Sequence, residues 1–411
     1  MYRCQSKSSA SISSYTRAQE IYNRIDDEEG VANALCGLGK AHRVQSKHAK
    51  AETCYMRAQE IYDRACNPAG QANALCGLGE VYHCQSRYPD AISSFARAQE
   101  IYNRINNDEG VANALCALGK VYRSQSKYTD AEASYVGAQE IYNRIRNSAG
   151  EANAHCGLGE VYHCQFKHSD TISSYTRAQA ISTRIGNDEG EANALYGLGK
   201  AYCRQLKLTD AASFYTRAQE IYHRICNPAG QADTLRGLGE LYHCQFKPSE
   251  AISSYTLAQE IYSRILNLAG QADALCGLGE VHHCQFRYSK DMSSRARVLY
   301  NSIGSDPGQP SDAISCYSQA RGLYTIIRND EGEANALYGM GKAYCRQFKL
   351  TDAAAVYTRA QEIYHSMCNA AGQANVLCGL GEVYHCQFKY SEAISSYTQA
   401  REIYTRIGHD E

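Results

Sequence analysis

The chain has 411 residues, of which 44% are apolar and 21% charged, and its formal net charge is −1 at pH 7. This balance is typical of a folded chain and excludes a strongly basic surface for nucleic acid or anionic membrane. No apolar run is long enough to span a bilayer, and no signal-peptide pattern follows Met1. The 19 cysteines recur mostly at fixed places inside predicted helices, so we expect reduced thiols in a cytoplasmic protein.

A unit of 40 residues recurs along almost the whole chain. It is visible as AQEIY at 18–22, 58–62, 98–102, 138–142, 218–222 and 258–262, and as AREIY at 400–404. A repeat of this length encodes two short helices, which cannot bury their apolar faces alone and must stack on neighbouring repeats. The period therefore predicts an all-α solenoid with a long surface, a form typical of binding scaffolds rather than of enzymes.

Each unit has the same internal spacing in its first helix, helix A, and its second, helix B. The pattern is Leu-x2-Leu-Gly-x2-Tyr, then Ala-x3-Phe and Ala, which the second unit places at Leu75, Leu78, Gly79, Tyr82, Ala91, Phe95 and Ala98. The chain thus resembles tetratricopeptide repeat (TPR) arrays of the 40-residue kind, found in filamentous-fungal proteins and, more distantly, in kinesin light chain and Pins-type adaptors. The resemblance implies a right-handed superhelical α-solenoid of helix-turn-helix repeats that binds a protein or peptide along its concave face.

The register predicts nine complete helix pairs, at 27–66, 67–106, 107–146, 147–186, 187–226, 227–266, 267–303, 329–368 and 369–408. The sequence GSDPGQPSD at 304–312 interrupts the pattern, and 313–328 resembles a helix B without a helix A before it. We therefore expect an array at 1–303, made of a partial first repeat and seven full ones. A Gly/Pro linker or hinge follows at 304–312, and an orphan helix with two repeats at 313–411. The sequences of 187–265 and 329–407 are nearly identical, which indicates duplication of a pair of repeats. The break is therefore either a hinge or the scar of an imperfect duplication.

Capping residues mark several helix starts. Asn67 before Pro68, and Asn227 before Pro228, place an N-cap residue ahead of a proline at the first helical position. The sequence TDAE at 129–132 has the spacing of a capping box, which predicts that a helix B opens there.

Both ends of the sequence stop within a repeat. The opening MYRCQSK matches the tail of a helix A, and the closing IGHDE matches the start of a linker. Natural arrays end in a polar capping helix. We therefore expect a fragment of a longer protein or a truncated gene model, with self-association through the uncapped ends.

Three positions of helix A carry the candidate partner-binding residues. The second position is usually Asn, the ninth alternates between Lys and Glu, and the twelfth carries Arg or His, with two Arg residues displaced by one. The resemblance implies that the ninth position lies on the concave side. The candidates are Asn33, Lys40, Arg43, Asn73, Glu80, His83, Asn113, Lys120, Arg123, Asn153, Glu160, His163, Asn193, Lys200, Arg204, Glu240, His243, Glu280, His283, Lys342, Arg346, Glu382 and His385.

Two interpretations of these positions stay open. Lateral Lys–Glu pairs between A helices ~8–10 Å apart would set the register of the repeats. Alternatively, the charges form a groove that binds a peptide, and its His residues modulate that contact near neutral pH. The Asn amides would hold an extended peptide backbone or bond locally near the helix start.

The relatives also set a limit on what the resemblance implies. In the Pins-type and kinesin light chain arrays, asparagines of an N-L-G-N motif hold the bound peptide. This chain has Gly77-Leu78-Gly79-Glu80 in that place. The resemblance therefore implies no shared ligand.

Metal-ion and enzyme chemistry are not expected. Adjacent residues such as His83 and Cys84 point about 100° apart on a helix, so they do not converge on one metal ion. No phosphate-binding, zinc-protease or serine-hydrolase motif is present, so we expect neither an enzyme nor a cofactor. We interpret the chain as a protein-interaction scaffold. The alternatives are a C-terminal sensor or autoinhibitory array of an NB-ARC or NACHT-type nucleotide-binding signalling protein, and a decaying duplicate without a selected partner.

Overall fold

The computed structural model describes residues 2–291 and 310–407, and the side chains of 11–284 and 312–407. All regular secondary structure in these ranges is α-helical, which confirms the all-α prediction. The helices are α1 Tyr2–Arg24, α2 Glu28–Val44, α3 His48–Arg64, α4 Pro68–Cys84, α5 Tyr88–Arg104, α6 Asp108–Ser124, α7 Tyr128–Arg144, α8 Ser148–Cys164, α9 His168–Arg184, α10 Asp188–Arg204, α11 Leu208–Arg224, α12 Pro228–Cys244, α13 Pro248–Arg264, α14 Leu268–Asp291, α15 Pro310–Ile327, α16 Asp330–Arg346, α17 Leu350–Ser366, α18 Ala370–Cys386 and α19 Tyr390–Arg406.

The helices group into two compact units. Unit one is Met1–Leu241 with Ile261–Asn267, and unit two is Tyr242–Glu260 with Leu268–Glu411. In unit one, α2 packs on α3, α4 on α5, α6 on α7, α8 on α9 and α10 on α11, and the B helices α3, α5, α7 and α9 each also pack on the next helix A. Unit two repeats this order from α14 to α19. Within each unit, successive A helices contact one another directly, as expected of a TPR solenoid.

Asparagine side chains cap most of the A helices, and Asp27 caps α2. The Asn67 side chain accepts a hydrogen bond of 2.8 Å from the Gly70 amide, and Pro68 occupies the first turn, as predicted. Asn227 accepts from the Gly230 amide in the same way, at 3.0 Å. These bonds satisfy one of the amide groups that every helix start leaves unpaired.

The B helices begin without a side-chain cap, so the predicted capping box at 129–132 is wrong. Helix α7 begins at Tyr128, and its N-cap residue is Lys127, whose side chain makes no capping bond. The helix starts earlier because the Lys127 carbonyl already accepts a hydrogen bond of 3.0 Å from the Ala131 amide. Backbone geometry, rather than a side chain, positions this helix start.

Each turn in the described part of the chain contains one residue in the left-handed region. Ser126 has φ 58°, and the following Lys127 amide donates to the Tyr122 carbonyl at 2.9 Å, which is the hydrogen bond of a Schellman motif. Glycine usually holds such a position, and Gly186 does so with φ 68°. Bulky Phe166 and Leu206 hold it elsewhere, with φ of 59° and 57°. Glycine alone therefore does not mark the helix ends of this chain.

The core of each repeat is an aromatic ring on helix B held between two A helices. Tyr55 of α3 lies against Gly39 of its own repeat and Gly77 of the next. A Cβ added at Gly39 would lie 2.8 Å from the Tyr55 ring, and one at Gly77 closer still. The apolar positions of the repeat spacing are buried around such rings at Leu75, Leu78, Ala91, Phe95 and Ala98, while Tyr82 is half-buried.

Helix α15 has a helix A partner, so its prediction as an orphan helix is wrong. It packs on α14, and the Tyr324 hydroxyl donates to the Asp273 carboxylate at 2.6 Å. Its Tyr317 ring lies between Gly279 of α14 and Gly339 of α16, as Tyr55 does in the regular repeats. The pattern missed this partner because Asp273 and Tyr324 are 51 residues apart, against 29 for the regular pairs.

The break in the pattern lies mostly outside the described residues. Helix α14 continues to Asp291, past the place where the other A helices end, and α15 begins at Pro310. Residues 292–303, expected in a helix B, and 304–309 of the predicted linker or hinge fall in the undescribed range. The domain boundary at 304–312 stays a prediction.

The outermost described helices differ from the repeat. Helix α1 includes residues 2–7, expected as the tail of a helix A. These residues are continuous with the helix that follows, and their place as the tail of a helix A stays a prediction. At α19, Tyr397 is 40% exposed whereas the equivalent Tyr357 is 0% exposed. Tyr390 and Ile394 are exposed beside it, and self-association through this surface stays a prediction.

We predict that Gly77→Ala destabilises the protein by about 1–3 kcal/mol, because the new methyl group overpacks against the Tyr55 ring. The third repeat already has an alanine, Ala117, at the position equivalent to Gly77. The ring that faces it is Phe95, which lacks the hydroxyl of Tyr55. A ring without the hydroxyl has room to shift. We therefore expect Tyr55→Phe to recover at least about 0.5 kcal/mol of the Gly77→Ala loss, measured as a double-mutant cycle in urea.

The matched control for this cycle is Gly137→Ala in helix α7. A Cβ there would meet only Leu115 Cδ1, at an ordinary 3.6 Å. This variant should gain up to about 1 kcal/mol from helix propensity. Equal effects of the two alanine substitutions would contradict the close packing of Tyr55.

Candidate partner-binding surface

The candidates of the second and ninth positions lie along one side of the A helices, where they are exposed or half-buried, a surface that we call the helix A face. In α2, Asn33 and Lys40 are exposed, while the opposite side of the helix, with Leu35 and Leu38, is buried. Residues i and i+7 share one side of a helix, which explains why the second and ninth positions are exposed together. Because A helices contact one another from α2 to α10, these positions form parallel rows in unit one.

A tyrosine of helix B holds the amide at the second position. The Tyr62 hydroxyl donates to Asn33 Oδ1 at 2.7 Å, and Tyr102 donates to Asn73 Oδ1 at 2.6 Å. The equivalent bonds join Tyr142 to Asn113, Tyr222 to Asn193, Tyr262 to Asp233, Tyr324 to Asp273, Tyr364 to Asn335 and Tyr404 to Asn375. Asn153 is the exception, because residue 182 is serine.

The amide nitrogen at this position stays available. Within the described residues, the NH2 groups of Asn33, Asn73 and Asn113 make no hydrogen bond. The asparagine amide was expected to bond locally near the start of its own helix, but it accepts instead from a tyrosine hydroxyl of helix B. This bond engages the amide oxygen and leaves two donors on an exposed face.

Lateral ion pairs between A helices are present in part, but their partners differ from the expected Lys–Glu pairs. Arg43 pairs with Glu80 at 2.7 Å, and Arg123 with Glu160 at 2.8 Å, each joining two successive repeats. The expected Lys–Glu pairs are wrong for these two glutamates, because the longer arginine at the twelfth position reaches the carboxylate. Such partly exposed pairs contribute about 0–1 kcal/mol each.

The lysines of the ninth position keep their charge exposed or stack on rings. Lys40 and Lys120 are exposed, and neither has an ion pair within the described residues. Lys200 and Lys342 lie over the rings of Tyr196 and Tyr338, with Nζ at 5.8 and 5.5 Å from the centroid. In unit one the helix A face therefore presents unpaired positive charge.

Two histidines of the twelfth position do not titrate near neutral pH. Burial, with Lys120 and Arg123 adding to it, lowers the pKa of His83 from 6.5 to about 4. Burial, followed by the charges of Lys200 and Arg204, lowers the pKa of His163 to about 3. His83 Nε2 lies 2.9 Å from Ser124 Oγ in the next repeat. The expected pH modulation by these two side chains is therefore wrong.

The remaining candidates divide between the units. Glu240 belongs to unit one and pairs with Arg236 on its own helix at 3.6 Å, and Arg204 donates to the His163 carbonyl at 3.0 Å. The candidates in unit two are His243, Glu280, His283, Lys342, Arg346, Glu382 and His385. Of these, His283 is buried, so it is not a surface contact.

The sequence analysis missed Tyr196 and Arg236, which occupy the fifth position of helix A. Arg236 Nη2 donates to the Tyr196 hydroxyl at 3.2 Å, and Asp233 lies 3.9 Å away. The signal was available, since the neighbouring repeats have Cys76, Cys116 and Cys156 at this position.

In the part of the chain that the structure describes, no cluster of three or more His, Cys, Asp or Glu side chains could hold a metal ion. None of the described helices is long and apolar enough to cross a membrane.

We predict that the free energy of unfolding falls less in acid for the double variant His83→Gln with His163→Gln than for the wild type. A lowered pKa means that the unfolded chain binds protons first, so the free energy of unfolding falls as pH falls below about 6.5. Without these histidines, the drop in urea midpoint between pH 7 and about pH 5 should be smaller than in the wild type. His385→Gln changes an exposed histidine of the same position and should leave the drop unchanged. Identical pH profiles for all three proteins would contradict the burial effect.

A family model described as Tetratricopeptide repeat matches residues 70–144, 150–224 and 334–406, more than half of the chain. No curated protein shows a significant match. Among solved structures, a Rap protein complexed with Competence and Sporulation Factor is 13% identical, with a TM-score of 0.57, and the match covers 93% of this chain and 100% of that chain.

Two further structures are similar. Aspartyl phosphate phosphatase F from Bacillus subtilis is 10% identical, with a TM-score of 0.52, over 89% of this chain and 91% of that chain. A putative kinesin light chain from Podosopora anserina, with nearly identical TPR-like repeats, is 12% identical, with a TM-score of 0.40, over 53% and 96%. The Rap protein and phosphatase F show the shared fold. The family match, the 40-residue period and the paired helices together establish that the chain belongs to the tetratricopeptide repeat family.

Proposed function

We propose that the chain is a protein-interaction scaffold whose helix A face in unit one binds an extended, acidic segment of a protein partner. The observation that carries this proposal is the alignment of five A helices, α2, α4, α6, α8 and α10, each with an exposed asparagine at its second position. Membership of the TPR family supports the interaction role in general. We propose no catalytic activity, since this repeat fold is typically non-enzymatic.

The asparagine row supports binding to a peptide backbone. Each amide oxygen of Asn33, Asn73 and Asn113 is held by a tyrosine hydroxyl, so the NH2 donors are fixed in direction before a partner arrives. Backbone carbonyls of an extended peptide are suitable acceptors for such donors. Preorganisation of this kind lowers the entropy cost of binding.

The charge row supports an acidic partner. Arg43 and Arg123 are neutralised by Glu80 and Glu160, whereas Lys40 and Lys120 are exposed without an ion pair in the described chain. Acidic side chains at matching intervals would pair with these lysines and would also raise the association rate.

The test is selection of peptides from a displayed random library on the wild-type protein, followed by affinity measurements with variants. We expect acidic residues to be enriched among the selected peptides. Lys40→Glu combined with Lys120→Glu should weaken binding of these peptides at least about tenfold, which corresponds to about 1.4 kcal/mol. Helicity measured by circular dichroism should not change.

The matched control is Arg57→Glu combined with Arg97→Glu. These arginines are exposed on helices B, so the variant has the same net charge but an intact helix A face. Its affinity for the selected peptides should stay within about twofold of the wild type. Equal losses in both variants would show a non-specific charge effect, and no loss in either would place the binding site elsewhere.

A further inference from the structure

Side-chain contacts between successive repeats differ from one junction of unit one to the next. The first repeat is 27–66, and each later repeat begins 40 residues after the one before it. Arg43 of the first repeat pairs with Glu80 of the second at 2.7 Å, and Arg87 of the second pairs with Glu52 of the first at 3.2 Å. Ion pairs therefore join the first and second repeats at two places.

The third and fourth repeats are joined in the same way. Arg123 pairs with Glu160 at 2.8 Å. Glu132 accepts a hydrogen bond of 2.9 Å from the Tyr162 hydroxyl and lies 3.8 Å from Lys167 Nζ. From the first repeat to the fifth, every ion pair between different repeats in the described chain lies at one of these two junctions. The second–third and fourth–fifth junctions have none there.

The asparagine caps follow the same alternation. Asn67 Nδ2 donates to Glu29 Oε1 at 2.6 Å, which links the second repeat to the first. The equivalent bonds join Asn147 to Glu109 and Asn227 to Glu189. At the second–third junction, Asn107 has Ala69 in place of the glutamate, and the fourth–fifth junction has Ala149 there. Alanine has no side-chain acceptor, so this hydrogen bond cannot form at either junction.

The second–third and fourth–fifth junctions place a histidine beside a lysine. His83 occupies the position of Arg43, and its neighbour in the next repeat is Lys120 instead of a glutamate. His163 has Lys200 as its neighbour in the same way. Hydrogen bonds to neutral groups cross these junctions, from His83 to Ser124 and from Arg204 to the His163 carbonyl. Attraction between opposite charges is therefore confined to alternate junctions.

The aromatic contact is common to all of these junctions. At each one, a ring of helix B packs on helix A of the next repeat, namely Tyr55, Phe95, Tyr135 and Tyr175. In a repeat array, stability is the sum of terms for single repeats and for the interfaces between neighbours. Ion pairs and cap bonds thus add to some interfaces and not to others, on top of the same apolar packing.

The duplicated segment has the length of two repeats. Residues 187–265 and 329–407 are nearly identical, and the first copy begins at the fourth–fifth junction. It contains one repeat with Glu189 in its first turn, followed by one with Pro228 there. The copied block therefore keeps the bond from Asn227 to Glu189 inside it.

We propose that unit one is built from modules of two repeats, 27–106 and 107–186, and that it opens preferentially at the junctions on either side of the second module. These are the contacts of α5 with α6 and of α9 with α10. Opening there changes the spacing between Asn73 and Asn113, while the spacing between Asn33 and Asn73 is kept. This device does not depend on the proposed binding of an acidic peptide.

Hydrogen–deuterium exchange of the full chain, read by mass spectrometry, tests the proposal. Amides that open together share one opening free energy, so the most protected amides of α2–α5 should exchange at one rate and those of α6–α9 at another. After correction for intrinsic rates, we expect a step of at least about threefold between α5 and α6. The steps between α3 and α4, and between α7 and α8, should stay below about 1.5-fold.

A pair of charge exchanges provides matched variants. His83→Arg combined with Lys120→Glu gives the second–third junction the pair that Arg43 and Glu80 form at the first–second junction. This variant should reduce the step between α5 and α6 to below about 1.5-fold. Arg43→His combined with Glu80→Lys makes the opposite exchange and should create a step of about threefold between α3 and α4.

Equal exchange steps at all junctions of the wild type would overturn the proposal. The same holds if the step between α5 and α6 persists in the variant with the added ion pair, or if no step appears between α3 and α4 in the reversed variant. The circular dichroism spectrum of each variant should match that of the wild type. The wild-type pattern decides the question by itself if a variant fails to fold.

Discussion

The array depends on one contact, an aromatic ring of helix B held between two A helices. Tyr55 lies between Gly39 and Gly77, and the absence of a Cβ on both sides allows the close approach. This single ring holds the two helices of its own repeat together and also packs on helix A of the next repeat. Since the contact recurs along each unit, it sets both the internal fold of a repeat and the step between repeats. Stability is then distributed among nearest neighbours, as in other repeat proteins.

The same arrangement produces the candidate binding surface. When B-helix rings draw successive A helices into contact, the opposite sides of those helices come to lie in parallel rows. Tyrosines at the ends of the B helices reach through the layer and orient the asparagine amides, as Tyr62 does for Asn33. Packing on one side of helix A therefore prepares hydrogen-bond donors on the other. Arginine–glutamate pairs such as Arg43–Glu80 add a link between repeats, while Lys40 and Lys120 have no ion pair in the described chain.

Departures from the repeat carry the information that periodicity cannot. Tyr196 and Arg236 replace a cysteine and bond to each other across two repeats. Ser182 and His155 replace a tyrosine and a leucine that belong to one core cluster. In a chain made of near-copies, a changed residue stands out against many unchanged equivalents.

The sequence by itself determined the fold class, the repeat family and nearly all helix pairs, because a 40-residue period and the Leu-Gly-Tyr spacing describe contacts between near neighbours in the chain. It also identified the second position of helix A as exposed, since this follows from the helical period, whereas the twelfth position is half-buried at His83 and buried at His283. Only the tertiary structure decided that α15 packs on α14 across an insertion, that arginine rather than lysine reaches Glu80, and that burial lowers the pKa of His83. These depend on distances between residues far apart in sequence and on the depth at which each side chain is packed, which no linear pattern records.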